Sequence, residues 1–587
     1  MSIDSSSTLL EPDIEARAIS TVRPKTSVGG MKRVEAVLLL VAAVFFVLHF
    51  VHLRADFPNH SAWMDWSKYT DEGWYGDAAI RHYQLGHWNV PGDFNPAAAL
   101  PVWPAMEMVL FRMTGVSLAA ARALTVAVFG LILLCCYLLV RRWSRDEAET
   151  RLGGAIAVLL LAVSPFCFVF MRLAILEPVL ILWTLAALLA GSEAGAASAA
   201  AAAGDGAGRR PTLRWIAWAV ALGLLLPLIV LTKTTGVFLF PALLWMLWAS
   251  SGYRVKPFLS TAAIAGGVGV AVWGGYYGLF VRPRYLVDYR YLFSANAYTG
   301  VTFGTLGSVL GDTIRDGTWI GETLFVLGLI AAIGTVAGIC VRRFRSNPLA
   351  IALVLWIFGY AAFLAYHDNL QPRYYLVLAV PLTMLVAVCF DAVLRSVIGT
   401  GNRILKSAWL VRLTAAAGGA ALIFVAAAGG WWTIYFVSHP QYTFLSAVNQ
   451  VRDAVERERA AHPDHSRLVL SISGSDISLM TGLPSICDDF GTMELPQRVA
   501  QYKPGWFAAW NDVEDDKMEA LAPLYRLERV ATIPAFDDPE RNLLILYRLD
   551  PVSSPGRLGS VRRRSMTAQR RLRVKAGEQP SATQLKH

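Results

Sequence analysis

The chain has 587 residues, of which 55% are hydrophobic and 16% charged, with a formal net charge of +10. Soluble domains carry about 25% charged residues, so this composition excludes a soluble enzyme built on one large core and indicates a polytopic membrane protein. The positive charge does not require a nucleic-acid partner, because Lys and Arg on the cytoplasmic side of membrane spans set topology.

In chain order, residues 1–33 are polar and carry Arg17, Arg23, Lys25, Lys32 and Arg33, which predicts a cytoplasmic N-terminal tail. The apolar run at 34–53 is long enough to span a bilayer and has no small-residue cleavage site, so it is expected to stay as an anchor. A polar, aromatic-rich stretch follows to about residue 118. Within it LPVWPAMEMVLFRM (100–113) is interrupted by prolines and ionisable residues and reads as an interfacial helix. Apolar runs then recur at 119–140, 152–171, 174–191, 214–232, 235–250, 258–280, 321–341, 349–366, 374–393 and 413–437. With the first run they predict about eleven spans. Arg141, Arg142 and Arg145, then Arg209, Arg210 and Arg214, then Arg254 and Lys256, then Arg342, Arg343 and Arg345, then Arg395, Arg403, Lys406 and Arg412 fall in alternate loops. All these loops are cytoplasmic if the N-terminus is inside, and an odd span count keeps that agreement. GAASAAAAAGDGAG (195–208) reads as a flexible cytoplasmic linker.

The fold expected is therefore mainly α: a membrane helical bundle over 34–437, with interfacial helices in its first external loop. Residues 438–550 alternate a helical pattern (FLSAVNQVRDAVERERAA) with strand-like runs (RLVLSIS, NLLILYRL), which predicts a small external α/β domain. Residues 551–587 are a basic tail, expected to be disordered. Of six cysteines, Cys135, Cys136, Cys167, Cys340 and Cys389 lie in apolar runs and Cys487 stands alone, so neither a disulfide framework nor a CxxC metal pattern is present.

Transporters place ionisable residues near mid-membrane. Here they gather at predicted outer ends. Asp71 and Glu72 form an adjacent acidic pair in DEGWYGDAA, in the company of Trp66, Trp74, Tyr75 and Asp77. Asp93 and Asn95 lie in PGDFNP, Arg172 and Glu177 join the third and fourth spans, and Lys233 lies in LTKTTG. His367, Asp368, Arg373 and Tyr374 lie in YHDNLQPRYY. Each has a plain structural alternative. Arg172 and Glu177 pair with each other, Lys233 snorkels to head groups, Arg373 and Tyr374 anchor an interface, Asp93 caps a helix, and His367 is structural.

In their order along the chain, the acidic pair after the first span, the stretch leading to LPVWPAMEMVLFRMTGVSLAAARALTVAVFG, RRW…LLLAVSPFCFVFMRLAILEPVLIL, LTKTTGVFLFP and QPRYYLVLAVP resemble the type C glycosyltransferases. The similar group is that of dolichyl-phosphate-mannose protein mannosyltransferases and aminoarabinose transferases, over roughly residues 34–437. The resemblance implies transfer of a sugar, with inversion, from a polyprenyl-phosphate donor to an acceptor hydroxyl on the periplasmic face of the inner membrane. It implies Asp71 as general base, with Glu72 orienting the site or binding acceptor or metal. Arg172, Lys233 and Arg373, with Tyr374, are the implied donor-phosphate residues. Trp74, Tyr75, Asp93, Asn95 and Asp368 are candidates for substrate contact. The implied partners are membrane lipids, the lipid-linked sugar and a protein, lipid or glycan acceptor. A divalent metal stays open, with Glu72 and His367 as candidate ligands. This chain reads FNPAAALP where the family usually has a fuller His-Pro-Pro type motif, which weakens any transfer of metal ligands. A flippase of lipid-linked sugars and a non-catalytic receptor or scaffold are the rival classes.

Overall fold

In the computed structural model the described residues are 27–59, 61–143, 152–203, 209–295, 301–302, 304–340, 347–367, 370–399 and 408–552. Most of the predicted N-terminal tail (1–26), most of the basic tail (553–587) and Asp368 lie outside them.

Helix α1 (Ser27–Leu48) is the first element of the described residues, two helices of the first loop follow, α2 (Asp71–Leu85) and α3 (Val102–Thr114), and α4 (Leu118–Trp143) re-enters the apolar bundle. The loop helices stop where the sequence supplies glycine. Gly86 ends α2 at φ 78° and Gly115 ends α3 at φ 70°, a region that costs a residue without Cβ little.

Among the described residues, eight helices are long and apolar enough to cross a membrane, and Leu152–Val163 and Thr234–Ser250 are shorter apolar helices. The apolar run at 152–171 is split because Pro165 has no N–H to continue a helix. Ser164 restarts it by accepting from the Cys167 amide at 3.3 Å. Asn347 likewise caps Pro348–Tyr366, accepting from Leu349 and Ala350. The long helix Val255–Ser294 contains a π segment, Tyr277–Tyr285, around Pro283. The expected flexible linker at 195–208 is instead helical as far as Ala203, because alanine is the strongest helix former; residues 204–208 are outside the described set.

After helix Ala408–Ser438 the chain changes class. Helix Thr443–Ala461 precedes strands β1 (Val469–Leu470), β2 (Ser485–Ile486), β3 (Trp506–Trp510), β4 (Tyr525–Pro534) and β5 (Leu543–Pro551). The sheet order is β2-β1-β3-β5-β4, with β1 parallel to β2 and β3, and β5 antiparallel to β3 and β4. β3 is buried on both faces. Trp506, Ala508 and Trp510 pack with Phe444, Val448 and Val451 of the preceding helix. Phe507 and Ala509 pack on the other side with Val499 and Leu521. This is the period-2 alternation of a strand covered by helices.

Candidate active site

Helix α2 begins at Asp71, so Asp71 and Glu72 occupy its first turn, where unpaired backbone N–H groups favour carboxylates. Adjacent helical residues point about 100° apart, and the two carboxylates have different fates. Asp71 faces a cavity of about 270 Å³ that is also lined by Trp66, Trp74, Tyr75, Phe94, Lys233, Thr234, His367, Arg373, Tyr374 and Phe490. Glu72 is outside that lining. It takes Arg122 Nε and Nη2 of α4 at 2.8 and 2.5 Å and the Ala174 amide at 2.8 Å. It forms a buried ion pair that fastens α2 to the bundle, outside the cavity where a role in orienting the site or binding acceptor or metal was expected.

Inside the cavity, Arg373 is shared by two carboxylates. Its amide donates to Asp65 Oδ2 at 2.9 Å and its Nη1 to Asp65 Oδ1 at 2.5 Å, while Nε lies 2.9 Å from Asp71 Oδ2. The Asp71 contact is an ion pair without hydrogen-bond alignment, so the buried Asp71 Oδ2 has no hydrogen-bond donor among the described residues. Asp71 Oδ1 accepts from Thr70 Oγ1 at 3.0 Å. Burial pushes the Asp71 carboxyl up to about 6; Arg373 opposes that shift, and Asp65 and Glu177 add to it. Lys233 does not snorkel. It is buried, pairs with Glu177 Oε1, and holds Nζ 4.2 Å from the Tyr374 ring centroid; Arg373 lies 4.7 Å from the same ring. Two cations, one aromatic ring and one carboxylate oxygen without a donor thus meet in one cavity.

Other candidates lie elsewhere. Arg172 does not pair with Glu177. Its Nη2 donates to the Val51 and His52 carbonyls at 2.7 and 2.8 Å, its guanidinium lies 4.4 Å from the Phe168 ring, and it lines a separate small pocket. It lies outside the cavity that Asp71 lines, where a donor-phosphate role was expected, and covers the carbonyls that follow α1. Asp93 is neither in the cavity nor a helix cap. It takes Arg81 Nη2 at 2.5 Å, Arg498 Nη1 at 3.1 Å and the Cys487 amide at 3.1 Å, joining the first loop to the C-terminal region. Asn95 donates to Asp288 Oδ2 at 3.2 Å, also outside the cavity lining. Trp74 and Tyr75 do line it, and Trp74 Nε1 is held by the Ile472 carbonyl at 3.0 Å.

The metal candidates do not converge. His367 lines the cavity, whereas both Glu72 oxygens are engaged by Arg122, and among the described residues no three His, Cys, Asp or Glu side chains form a ligand cluster.

Sequence reasoning missed Asp65, Glu177 as the partner of Lys233, and the C-terminal residues reaching α2. Asp65 lies six residues before Asp71 in MDWSKYTDE and also caps a short 3₁₀ turn through the Ser67 amide. That Asx-like spacing was its one local signal.

No family model and no curated protein matches the chain. Among solved structures, ArnT from Cupriavidus metallidurans bound to undecaprenyl phosphate aligns with TM-score 0.53 at 17% identity, over 87% of this chain and 98% of that one. Its apo form aligns with TM-score 0.53 at 15% identity, over 88% and 98%. Archaeal oligosaccharyltransferase AglB from Archaeoglobus fulgidus, in complex with an inhibitory peptide and a dolichol-phosphate, aligns with TM-score 0.49 at 15% identity, over 85% and 73%. The chain has the fold of the type C glycosyltransferases, the group its motifs resemble.

Proposed function

We propose that the protein is a multi-pass inner-membrane glycosyltransferase that moves a sugar from a polyprenyl-phosphate donor to an acceptor hydroxyl on the periplasmic face. The observation carrying this reading is the meeting of the donor-free Asp71 oxygen with Lys233 and Arg373 in one cavity.

The chemistry follows from the charges. The acceptor oxygen attacks the anomeric carbon while its proton passes to Asp71 Oδ2. The bond from that carbon to the phosphate oxygen breaks, and the polyprenyl phosphate leaves with the electron pair. Lys233 and Arg373 are positioned for the charge that develops on the leaving phosphate. One displacement inverts the anomeric centre. Trp74, Tyr75 and Phe490 supply apolar walls against which a sugar ring can lie. Asp65 acts as a positioning residue, because two of its hydrogen bonds orient Arg373.

The eight long helices, α1, Leu152–Val163 and Thr234–Ser250 make eleven passes if each crosses, which puts the C-terminal sheet on the side of the first loop. The test is reconstitution of the purified chain with a polyprenyl-phosphate sugar, reading free polyprenyl phosphate and glycosylated product. Mass spectrometry of envelope glycans from a deletion strain names the product. No release of polyprenyl phosphate with any such donor, together with an unchanged envelope, overturns the proposal.

A further inference from the structure

The C-terminal region carries a second cleft, of about 70 Å³, which the reaction above does not use. It sits where α/β sheets ordinarily hold ligands, beyond the carboxyl ends of parallel strands. Ile472 follows β1, Asp488 follows β2, and Trp510 ends β3, the three mutually parallel strands.

Two polar atoms there are incomplete. Asp488 is 5% exposed, lines the cleft, and its Oδ1 has no hydrogen-bond partner among the described residues. Arg541 lines the same cleft, and its buried Nε is also without a partner. The Arg541 guanidinium is otherwise spent on the Glu540 carbonyl and the Tyr69 hydroxyl, at 2.6 and 3.3 Å, so the acceptor on Asp488 is the group of the cleft wall that costs desolvation energy unless something fills it. Hydroxyl groups both donate and accept.

Charge selects further. Asp489, Asp512 and Glu514 add carboxylates, while Lys517 adds a cation already 2.9 Å from Asp516. A phosphate would face these acids, and a bare cation would face Lys517 and Arg541. Trp510 spends its Nε1 on Ser473 Oγ at 2.9 Å and so offers the cleft an apolar ring. Mixed donors and acceptors beside an aromatic wall suit a neutral hydroxylated ring.

The cleft also abuts the reaction cavity. Asp488 and Asp489 line the cleft and the next residue, Phe490, lines the cavity; Ile472 lines the cleft while its carbonyl holds Trp74, which lines the cavity. We propose that this cleft is an acceptor subsite that takes a neutral, hydroxyl-rich sugar unit, with the Asp488 carboxylate as its buried hydrogen-bonding anchor. The acceptor role rests on the transferase reading; the sugar binding does not.

Saturation-transfer NMR on the purified full chain in detergent tests it, with glucose, mannose, galactose and arabinose as free probes. At least one sugar is expected to bind saturably, and Asp488→Asn to weaken that binding by about tenfold or more, as loss of a charged hydrogen bond implies. Should Asp488→Asn fail to fold, the exposed pair Asp512→Asn with Glu514→Gln replaces it. Asp71→Asn should leave sugar binding unchanged while stopping transfer. No release of polyprenyl phosphate by the wild-type chain, with sugar binding still lost in the cleft variants, overturns the transferase reading and leaves the cleft standing as a sugar site; normal transfer by Asp71→Asn removes only Asp71 as the base. No binding by any of the four sugars, or binding unaltered by the cleft variants, overturns the subsite.

Discussion

Arg373 lies between two buried carboxylates, and the contest between them sets the chemistry of Asp71. Asp65 wins the aligned hydrogen bonds, and Asp71 keeps only a 2.9 Å ion pair with Nε. Asp71 is therefore stabilised enough to ionise near neutral pH yet retains an oxygen for an acceptor proton. Asp71→Asn should lower transfer by about 10²-fold or more while donor lipid still binds. Since its carboxyl is raised to about 6, wild-type turnover should fall as pH drops through about 6, because the protonated acid accepts no proton. The stability effect has the opposite sense. A carboxyl that holds its proton up to about 6 when folded, against 3.8 when unfolded, contributes stability below about 4 that is lost as pH rises through about 6. A transfer-rate profile flat from pH 5 to 8 would remove Asp71 as the base. Arg373→Gln should do more than weaken donor binding. It leaves Asp65 and Asp71 buried without their cation, a change that costs roughly 3–5 kcal/mol, and its thermal midpoint in detergent should drop well below that of Arg373→Lys. The adjacent acids at 71 and 72 were legible in the sequence. Their division between cavity and Arg122 was not, because it depends on which neighbours a helix of known pitch meets.

At the scale of elements, α2 is held by the C-terminal region rather than by the bundle alone. The Gly73 amide donates to Asp476 Oδ1 at 3.2 Å, Ser475 Oγ donates to Asp77 Oδ1 at 3.1 Å, and Lys68 reaches Asp538 at 2.6 Å. Helix Gly474–Thr481 comes so close that a Cβ on Gly73 would lie 2.2 Å from the Asp476 amide nitrogen, a backbone atom that cannot swing aside. Gly73→Ala should therefore push the two helices apart, lower stability by about 1–3 kcal/mol, and reduce transfer although alanine removes no reacting group. Wild-type turnover and melting in Gly73→Ala would show that this contact does not position Asp71. The helix at 443–461 and the strand NLLILYRL could be read from their periodicity. RLVLSIS supplies a strand of only two residues, because the chain turns at Ser473 to start the helix that docks on α2. Gly73 and Gly76 in DEGWYGDAA mark two close approaches, to Asp476 and to Glu107. Nothing local distinguishes such glycines from ordinary loop glycines until both partners are in place.

For the whole molecule, the cavity and the C-terminal sheet must lie on one side of the membrane, since Phe490 lines the same cavity as Asp71. The basic residues give the complementary side. Arg141 and Arg142 close the last turn of α4, Arg254 caps the helix that begins at Val255, and Arg395 lies in the last two turns of Leu376–Gly399, all at loops opposite to those carrying Asp71, Lys233 and Arg373 if helices alternate across the bilayer. This much was legible because loop charge is a property of composition and needs no contact map. The helix count was harder to read, since Leu152–Val163, ended before Pro165, and Thr234–Ser250, set off by extended backbone at Lys233, fall below ordinary spanning length. The eight long helices and α1 make nine passes, and the count stays odd if both short helices cross; a cytoplasmic N-terminus then puts the C-terminal region outside. A periplasm-active reporter fused after Val552 should then be active, and a reporter active only in the cytoplasm should be silent at the same junction. The variant Glu514→Cys, at an exposed position of the same region, should react with a membrane-impermeant maleimide in intact spheroplasts. The opposite pattern of reporters, with no labelling of Glu514→Cys above the wild-type level, would place the sheet inside. Asp71 and the cavity would then face the cytoplasm, where soluble nucleotide sugars are at hand, and the reason for a lipid-linked donor would be lost.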